Sequence, residues 1–415
     1  MSKSNKREEI QTEKEEMEKI IENPMEKEKS ISNKYNREEN IKKTNPRQQL
    51  LLISRELLQS QSGKYYTYEM EVKFGTRGIK RLTKQDYDNV VKKLKDMGFM
   101  SIQSDGYYTL KIQPEYIDSR TGEFKSSGDI DRFRIEINGL TNIQEYCRSN
   151  NLEHLLNTKT KEEVSIMKKT DVKTNAGPEN VATENNSYIS SADFDDFNFR
   201  VTYKSEEIIS KTSNIGLELI SNWNKSRKVY RYINRVTFEH KDYPFKVDLS
   251  IVRSSTKDVR GRMTKTYNVQ DSSVFNNPES YEIEIEVKNN DAKLMYNSPE
   301  QLTTAIEKIA KIVLCGLQQT NYPVSYVEQK KTKDDYMRLL HEPEFKRKNL
   351  DYFPKERVYP SDFIGPSSVT LQIKNIAPID PNISVPNITA PYSYVVTDKA
   401  DGDRHLLFIN GIGKI

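Results

Sequence analysis

The sequence predicts an α+β fold in which an antiparallel sheet closes into a β-barrel flanked by helices. The main observation is a series of segments between residues 64 and 290 in which polar and apolar residues alternate, or β-branched and aromatic residues dominate. In order they read TYEMEVKFG, YYTLKIQ, DRFRIEING, EEVSIMKK, FNFRVTYKSEE, KVYRYINRVTFEH, FKVDLSIV and YEIEIEVKN. The second observation is that the polar faces of several of these strands are rich in fixed charge, which a closed barrel would hold together.

Longer helical patterns accompany the strands. The segment RQQLLLISRELLQS is predicted to form a helix that docks on the sheet. A second helix is predicted in TKQDYDNVVKKLKDMG, with Thr83 as its N-cap and Gly98 at its end. A third helix follows Ser298, which is its predicted N-cap, and Gln301 is predicted to complete a capping box.

The composition divides the chain into four segments. Residues 1–48 form a charged tail that we expect to be disordered, because apolar positions are sparse. The barrel and its helices are predicted over residues 49–330. Residues 331–391 hold a short helix, DDYMRLLH, and a Pro-rich stretch that is typical of a connection between domains. A strand, YSYVVTDK, begins near residue 392, so residues 392–415 are expected to be the truncated start of a second domain.

Several functional classes are excluded by composition. Two distant cysteines rule out a disulfide framework or a cysteine-based zinc site, and four scattered histidines argue against a His-rich metal site. No apolar run is long enough to span a membrane, and the N-terminus lacks a secretory signal, so we expect an intracellular protein without a membrane partner. The net charge of +4 is too small to imply a polyanion partner from bulk charge, so any such site must be local.

Two strand segments concentrate carboxylates on one face, since residues two apart in a strand point the same way. A row of glutamates without an intervening cation repels itself, and a bound Mg²⁺ or Mn²⁺ would offset that repulsion. Taken singly, each segment is also consistent with an ordinary amphipathic strand whose charged face lies in water. The residues are Glu69, Glu71 and Lys73 in the first segment and Glu282, Glu284 and Glu286 in the second.

Three further strands carry mainly basic polar faces. If the polar faces point into the barrel, the carboxylates would bind metal and the cations would bind a polyanion; if they point outward, the barrel has an ordinary apolar core. Periodicity does not choose between the two, although the aromatic residues on the apolar faces suit a surface covered by helices. The residues are Arg200, Thr202, Lys204 and Glu206 in one strand, Arg231 and Arg235 in the next, and Lys246, Asp248 and Ser250 in the third.

The motif KADGDR, residues 399–404, follows the strand predicted near residue 392. A lysine at the end of a strand can act as a nucleophile, and the nearby cation Arg404 would disfavour the protonated form of Lys399. On turn chemistry alone a surface turn is the alternative, because Asp-Gly is a common turn pair.

These residues carry a resemblance to a known family. KADGDR is similar to the K-x-D-G-x-R signature of mRNA guanylyltransferases and polynucleotide ligases, and the glutamate strands resemble those of triphosphate tunnel metalloenzymes, the metal-dependent RNA 5′-triphosphatases. Their order along the chain, with the glutamate strands before KADGDR, resembles that in the multifunctional mRNA capping enzymes of large nucleocytoplasmic DNA viruses. The resemblance implies a triphosphate tunnel followed by the start of a nucleotidyltransferase domain.

The resemblance also implies roles for the residues named above. A divalent metal, Mg²⁺ or Mn²⁺, would be held by Glu69, Glu71, Glu284 and Glu286, with Glu282 as a further candidate ligand. Glu206 would orient or deprotonate the attacking water, with Glu207 as the alternative, and Asp248 and Ser250 would orient groups inside the tunnel. The triphosphate would be bound by Lys73, Arg134, Lys168, Arg200, Lys204, Arg231, Arg235 and Lys246, and GTP by Lys399, Asp401, Gly402 and Arg404.

The implied activity is hydrolysis of the γ-phosphate of 5′-triphosphate RNA to give 5′-diphosphate RNA. Lys399 would take GMP from GTP, but the later nucleotidyltransferase motifs would lie beyond Ile415, so we expect no self-guanylylation by this chain alone. A viral methyltransferase domain or subunit is a further implied partner, and host cytoplasm or the virion the implied location. Two alternatives stay open: a tunnel metalloenzyme for free nucleotides, thiamine triphosphate or polyphosphate, against which KADGDR argues, and a non-enzymatic RNA-binding β protein.

Overall fold

The computed structural model describes residues 45–63, 66–103, 105–117, 124–125, 133–173, 188–348, 358–364, 370–376 and 406–413. The chain forms two compact units, which meet in the sequence between Asn321 and Tyr322. Most of the predicted tail, the strand predicted near residue 392 and the KADGDR motif lie outside the described residues. The domain boundaries predicted at residues 48, 330 and 391 stay predictions.

Each of the eight segments predicted as strands between residues 64 and 290 forms a strand in the first unit. The short strands β2, β4, β5 and β8 are additions that the sequence patterns do not indicate. Within the described ranges the strands are β1 (Tyr66–Phe74), β2 (Met100–Ser101), β3 (Tyr107–Pro114), β4 (Tyr116–Ile117), β5 (Phe124–Lys125), β6 (Phe133–Asn138), β7 (Val164–Asp171), β8 (Ala192–Phe194), β9 (Phe199–Ile209), β10 (Lys228–His240), β11 (Tyr243–Ser254) and β12 (Ser280–Val287).

Eight of these strands form a closed antiparallel barrel in the order β1, β12, β11, β10, β3, β6, β7 and β9. The barrel closes because β9 also pairs with β1, from Tyr66 opposite Glu207 to Phe74 opposite Phe199. The short strands β8 and β2 pair with β9 and β10 outside this ring. The closed antiparallel barrel confirms the predicted fold class.

The predicted helices correspond to α1, α2 and α7, and Thr83 and Ser298 cap α2 and α7 as predicted. Gln301 differs from the prediction, because its side-chain oxygen accepts from the amide of Asn297 at 2.9 Å and not from the N-cap residue. Helices α3 to α6 have only 7 to 10 residues, too few for a clear helical period in the sequence. The described helices of this unit are α1 (Pro46–Gln59), α2 (Lys84–Asp96), α3 (Leu140–Ser149), α4 (Leu152–Thr158), α5 (Asn214–Ser221), α6 (Asn289–Met295) and α7 (Pro299–Gln318).

The apolar faces of β1, β9, β11 and β12 point outward against helices. Met70 and Val72 of β1 and Ile285 of β12 are fully buried in one cluster with residues of α1, α2 and α7. Burying such a side chain contributes about 1.5–3 kcal/mol, so this packing fixes which face of each strand is outside. The helix residues of the cluster include Leu50, Ile53, Leu57, Val90, Leu94, Ile306, Ile309 and Val313.

A second apolar cluster covers the opposite part of the barrel. Leu110 of β3 and Ile135 of β6 are buried there against Tyr146 of α3, Leu155 of α4 and Leu219 of α5. Because both clusters lie outside the barrel, the polar faces of its strands turn inward. The structure thereby decides between the two orientations that periodicity leaves open.

The second unit contains α8 (Tyr326–Leu340) and α9 (Glu342–Lys348) among its described residues. Helix α8 is longer than the short helix predicted there, and Tyr336 and Met337 are buried beside Phe408. None of the described helices has the combination of length and apolar character that crossing a membrane requires.

Candidate active site inside the barrel

Alternation along the strands carries charged side chains into the barrel. Because Met70 and Val72 of β1 face the helices, Glu69, Glu71 and Lys73 face the interior. The same alternation and the strand registers place the other predicted site residues of the barrel strands inward, with the exception of Lys168. The interior charged residues are Glu69, Glu71 and Lys73 on β1; Glu282, Glu284 and Glu286 on β12; Lys246 and Asp248 on β11; Arg231 and Arg235 on β10; Lys111 on β3; Arg134 and Glu136 on β6; Lys169 and Asp171 on β7; and Arg200, Lys204 and Glu206 on β9.

The two acidic strands are neighbours in the barrel. In their register Glu71 lies opposite Glu286, and Lys73 lies opposite Glu284. The Nζ atom of Lys73 is 2.7 Å from a carboxylate oxygen of Glu71 and 3.2 Å from one of Glu284. The predicted carboxylates of β1 and β12 therefore share one region of the interior, with a lysine between two of them.

Glu282 lies apart from Glu71, Glu284 and Glu286, and its role as a metal ligand stays a prediction. Its register partner on β11 is Ser250, and the β1–β12 register reaches Glu284 but not Glu282. Both carboxylate oxygens of Glu282 accept from Arg231, at 2.6 and 2.7 Å. The structure thus pairs Glu282 with a predicted phosphate-binding arginine.

Arg235 is held in place by its neighbours on β11. Its guanidinium is 2.9 Å from Asp248 and 3.6 Å from Glu284, and its Nε donates to Ser250 at 3.2 Å. Thr237 donates to Asp248 at 2.6 Å, which satisfies a further oxygen of this buried carboxylate. Asp248 and Ser250 therefore both contact Arg235 inside the barrel, and their orienting role in catalysis stays a prediction.

Glu206 lies between two cations on β9, the strand that pairs with β1 on the side away from β12. Arg134 donates to it at 2.8 Å, and the Nζ atom of Lys169 is 3.3 Å away. Lys169 also binds Glu69, and it donates to Glu71 at 3.0 Å. Its neighbour Glu207 is exposed, so of the two predicted candidates only Glu206 belongs to the interior.

Lys168 is a wrong prediction of an interior residue. It lies opposite Phe133 on β6, and its Nζ atom lies 5.4 Å from the centre of that outward-facing ring. The signal for the correct residue is in the sequence, since Val164 and Ile166 mark the outward parity of β7. That parity puts Lys168 outside and Lys169 inside. Lys111, Glu136 and Asp171 are other interior charges that the sequence patterns do not single out.

A cavity of about 320 Å³ opens among the basic residues. It is lined by five cations and one carboxylate, together with neutral residues. Asp171 is bound to Lys204, and Glu136 is 3.0 Å from Lys111 and 2.5 Å from Arg134. The lining itself holds more cations than carboxylates, and each of these cations also contacts a carboxylate. Its charged lining consists of Lys111, Arg134, Lys169, Lys204, Arg231 and Asp171.

The two remaining predicted cations lie at other positions in the barrel. Arg200 forms a two-pronged contact with Asp193 of β8, at 2.5 and 2.8 Å, near the start of β9. Lys246 lies opposite Glu286 in the register of β11 and β12. Neither residue lines the basic cavity.

We call the interior carboxylates Glu69, Glu71, Glu284 and Glu286 the acidic wall. Burial and neighbouring charges shift the pKa values of three of them. Burial raises the pKa of Glu69 well above its usual range, and the charge of Glu71 adds to the rise. Burial also raises the pKa of Glu286, with Lys246 opposing and Asp248 adding to the rise. For Glu71 burial acts in the same direction, but Lys73 and Lys169 together hold its pKa below the usual range.

The pKa values of the carboxylates on β6 and β9, Glu136 and Glu206, shift in the opposite direction from those of Glu69 and Glu286. Burial would raise the pKa of Glu206, but Arg134 and Lys169 lower it below the usual range. For Glu136, Lys111 and Arg134 overcome burial and lower the pKa to about 2. These two carboxylates stay ionised at neutral pH.

The acidic wall fits a hard divalent cation. Carboxylate oxygens are the ligands that Mg²⁺ and Mn²⁺ prefer, and Glu71 lies opposite Glu286 with Glu284 two residues away on the same face of β12. Among the described residues, no three acidic, His or Cys side chains are already grouped so that they could hold a metal ion. The ammonium groups of Lys73 and Lys169 bind these oxygens instead, so a metal would have to replace some of those contacts.

No protein-family model matches the chain, and no curated protein matches it. Among solved structures the chain is similar to the Mimivirus capping enzyme triphosphatase, with 13% identity and a TM-score of 0.37 over 64% of this chain and 96% of that one. It is also similar to the S. pombe Pct1 RNA triphosphatase, with 13% identity and a TM-score of 0.34 over 63% of this chain and 91% of that one. The same values hold for Pct1 in complex with the Spt5 CTD.

Proposed function

We propose that this chain is a metal-dependent RNA 5′-triphosphatase that acts in mRNA capping. It would hydrolyse the γ-phosphate of 5′-triphosphate RNA and release 5′-diphosphate RNA and inorganic phosphate. The observation that carries the proposal is the closed barrel with glutamates of β1 and β12 on one wall and a basic cavity beside them.

A terminal triphosphate suits this interior. It is a compact polyanion, and five cations converge on a cavity of about 320 Å³. A closed barrel admits a chain end, whereas an internal phosphodiester would have to bring the chain on both of its sides inside. This geometry favours a 5′ end over internal phosphates of the RNA.

A divalent metal would be held by Glu69, Glu71, Glu284 and Glu286. When bound, it would neutralise charge on the phosphate oxygens and so supply Lewis-acid stabilisation. Glu282 is left out of this proposed set, because it lies beyond the paired part of β1 and β12.

The protein's own cations stabilise the charge that develops during the reaction. Cleavage of a γ-phosphate spreads negative charge over the equatorial oxygens, and fixed positive groups lower the barrier because they need little reorganisation. Arg134, Lys169 and Arg231 line the cavity and are fixed by carboxylates, while Arg235 is fixed by Asp248. These contacts orient the cations before the substrate enters.

Glu206 is the proposed residue that orients the attacking water. Its lowered pKa keeps it ionised, so it accepts a hydrogen bond from water, and it lies beside the cavity residues Arg134 and Lys169. A water held there would attack the γ-phosphorus as the bond to the β-phosphate oxygen breaks, and that oxygen leaves on the diphosphate end.

The capping context rests on the sequence motif KADGDR. Lys399 would attack the α-phosphorus of GTP and form a lysyl–GMP bond as pyrophosphate leaves, with Asp401, Gly402 and Arg404 contributing to GTP binding. These residues lie outside the described residues, so the guanylyltransferase step stays a prediction.

The proposal is tested by phosphate release from RNA that carries a γ-labelled 5′-triphosphate, with Mg²⁺, with Mn²⁺ and with EDTA. We expect release that needs metal and that Glu284→Ala abolishes. Inorganic tripolyphosphate and free ATP serve as comparison substrates. Much faster hydrolysis of these two than of RNA would favour the alternative of a tunnel enzyme for other triphosphates, and metal-independent or absent release would refute the proposal.

A further inference from the structure

A group of exposed cations lies at the end of the barrel where the basic cavity opens. Val229 and Arg231 line the cavity near the start of β10, and Gln113, paired with Val229, lies near the end of β3. The chain just beyond these positions consists of Glu115 after β3, Arg227 before β10 and the connection that leaves β11. That connection begins next to Arg231, because Arg231 pairs with Ser254, the last residue of β11.

The first part of this connection is an ordered turn that is not buried. The carboxylate of Asp258 accepts from the amides of Arg260 and Arg262, both at 2.9 Å, and Lys257 pairs with Met263. Val259 at its tip is 105% exposed. Gly261, at φ +77°, allows the tight reversal. The turn is therefore held by its own hydrogen bonds while its side chains project into solvent.

The charge of this region is strongly positive. We define the basic rim as residues 256–266 together with Glu115 and Arg227. It contains Arg227 and four cations of the turn segment, against the carboxylates of Glu115 and Asp258 alone. Five cations against two carboxylates leave +3, whereas the whole chain carries only +4. Positive charge is thus concentrated where the cavity opens. The four cations of the turn segment are Lys257, Arg260, Arg262 and Lys265.

An exposed aromatic residue follows the rim. Tyr267 is 53% exposed, and it directly follows Thr266, whose backbone pairs with Lys228, the neighbour of Arg227 in the chain. The backbone carbonyl of Tyr267 accepts from the buried Lys228 at 3.0 Å, which anchors this part of the connection to β10. The aromatic ring is therefore presented beside the cations on a fixed backbone.

We propose that the basic rim binds the phosphodiester backbone of the nucleotides that follow the 5′-triphosphate, with a base stacked on Tyr267. Proteins bind single strands by such a combination of a positive track and aromatic platforms. The inference rests on the proposed function, since it assumes that the 5′ end lies in the cavity. It adds a contact that a free nucleoside triphosphate cannot make and so gives a reason for preferring RNA.

The test uses the double variant Lys257→Ala/Arg260→Ala, whose side chains form no hydrogen bond or ion pair with other described residues. The matched control is Lys92→Ala/Lys95→Ala, which removes the same charge from the exposed face of α2. With 5′-triphosphate RNA of about 20 nucleotides, longer than one single-strand site, we expect KM to rise about fivefold in the rim variant only. Hydrolysis of inorganic tripolyphosphate should be unchanged in both variants. An equal change for both substrates, or no change for RNA, would overturn the inference.

A binding measurement separates this inference from the proposed activity. Fluorescence anisotropy with a 5′-hydroxyl RNA of the same length needs no hydrolysis, so it reports on the rim even if no triphosphate is cleaved. The slope of log K against the logarithm of the salt concentration should become shallower by about 1.4 in the rim variant. This is about 0.7 for each phosphate that a cation no longer neutralises. Tyr267→Ala should weaken binding about tenfold while Tyr267→Phe retains it, as expected for stacking. Unchanged affinity and salt slope in all of these variants would refute RNA binding by the rim, whatever the outcome for activity.

Discussion

Replacing Lys169 by Met tests how the barrel interior is organised. The ammonium group of Lys169 binds Glu69, donates to Glu71 at 3.0 Å and lies 3.3 Å from Glu206. In the variant Glu71 keeps Lys73 and Glu206 keeps Arg134, whereas Glu69 loses the cation that lowers its pKa. Removing a fixed charge from the region that binds the transferring phosphate should lower kcat about 10²–10³-fold.

The effect of Lys169→Met on stability should be smaller than its effect on rate. Breaking a buried ion pair costs about 3–5 kcal/mol when the remaining charge has no way to adjust. Glu69 can bind a proton once its partner is removed. We therefore expect the free energy of unfolding in urea to fall by about 3 kcal/mol or less. The free energy of unfolding is compared with that of the wild type at the same pH.

The neighbouring variant Lys168→Met is the matched control. Its Nζ atom lies over the outward-facing ring of Phe133, so the variant should lose about 0.5–1 kcal/mol of cation–π interaction and keep its rate of γ-phosphate release. Equal rate losses in the two variants would contradict the inward and outward assignments of β7. A Lys169→Met enzyme with the wild-type kcat would contradict the proposed role of the interior cations.

Three further predictions concern positioning, pH and helix capping. Asp248→Asn should misplace Arg235, 2.9 Å away, and lower kcat about 10²-fold in steady-state phosphate release with little change in the thermal unfolding temperature. Burial lowers the pKa of Lys228 to about 8, so above pH 8 the unfolded chain holds more protons than the folded one and stability gains from this residue as pH rises toward 10.5. Between pH 7.5 and 9.5 urea unfolding should show a gain of about 2 kcal/mol that Lys228→Met lacks; identical pH profiles would refute the assignment. Ser298→Ala removes the N-cap of α7 and should cost about 1 kcal/mol in the same assay without changing the rate, and a loss of activity at full stability would contradict a purely structural role.

The strands and the main helices could be predicted from the sequence because their signals are local. Alternation in YEIEIEVKN or TYEMEVKFG is visible within one segment, and so are the caps Thr83 and Ser298. The inward orientation of the polar faces was not predictable from periodicity, because both faces of an isolated strand obey the same alternation. It is decided by where α1, α2 and α7 pack, which depends on residues distant in the chain.

The composition of the site was predictable only in part for the same reason. Lys169 of β7 and Glu71 of β1 meet over the intervening strand β9 although 98 residues separate them, and their contact depends on the register of two strand pairs. Glu282 shares the parity of Glu284 and Glu286, yet it lies beyond the paired part of β1 and β12 and contacts Arg231. Parity can therefore be obtained from sequence, whereas position along the barrel axis cannot.

The pair Glu206→Gln and Glu207→Gln separates an active site inside the barrel from one on its surface. The two residues are adjacent and carry the same chemistry, but Glu206 faces the interior beside Arg134 and Lys169 while Glu207 is exposed. The measurement is kcat for metal-dependent release of the γ-phosphate from 5′-triphosphate RNA. We expect a loss of about 10²-fold or more for Glu206→Gln and wild-type rates for Glu207→Gln. Full activity of Glu206→Gln, or equal losses in the two variants, would contradict an active site inside the barrel.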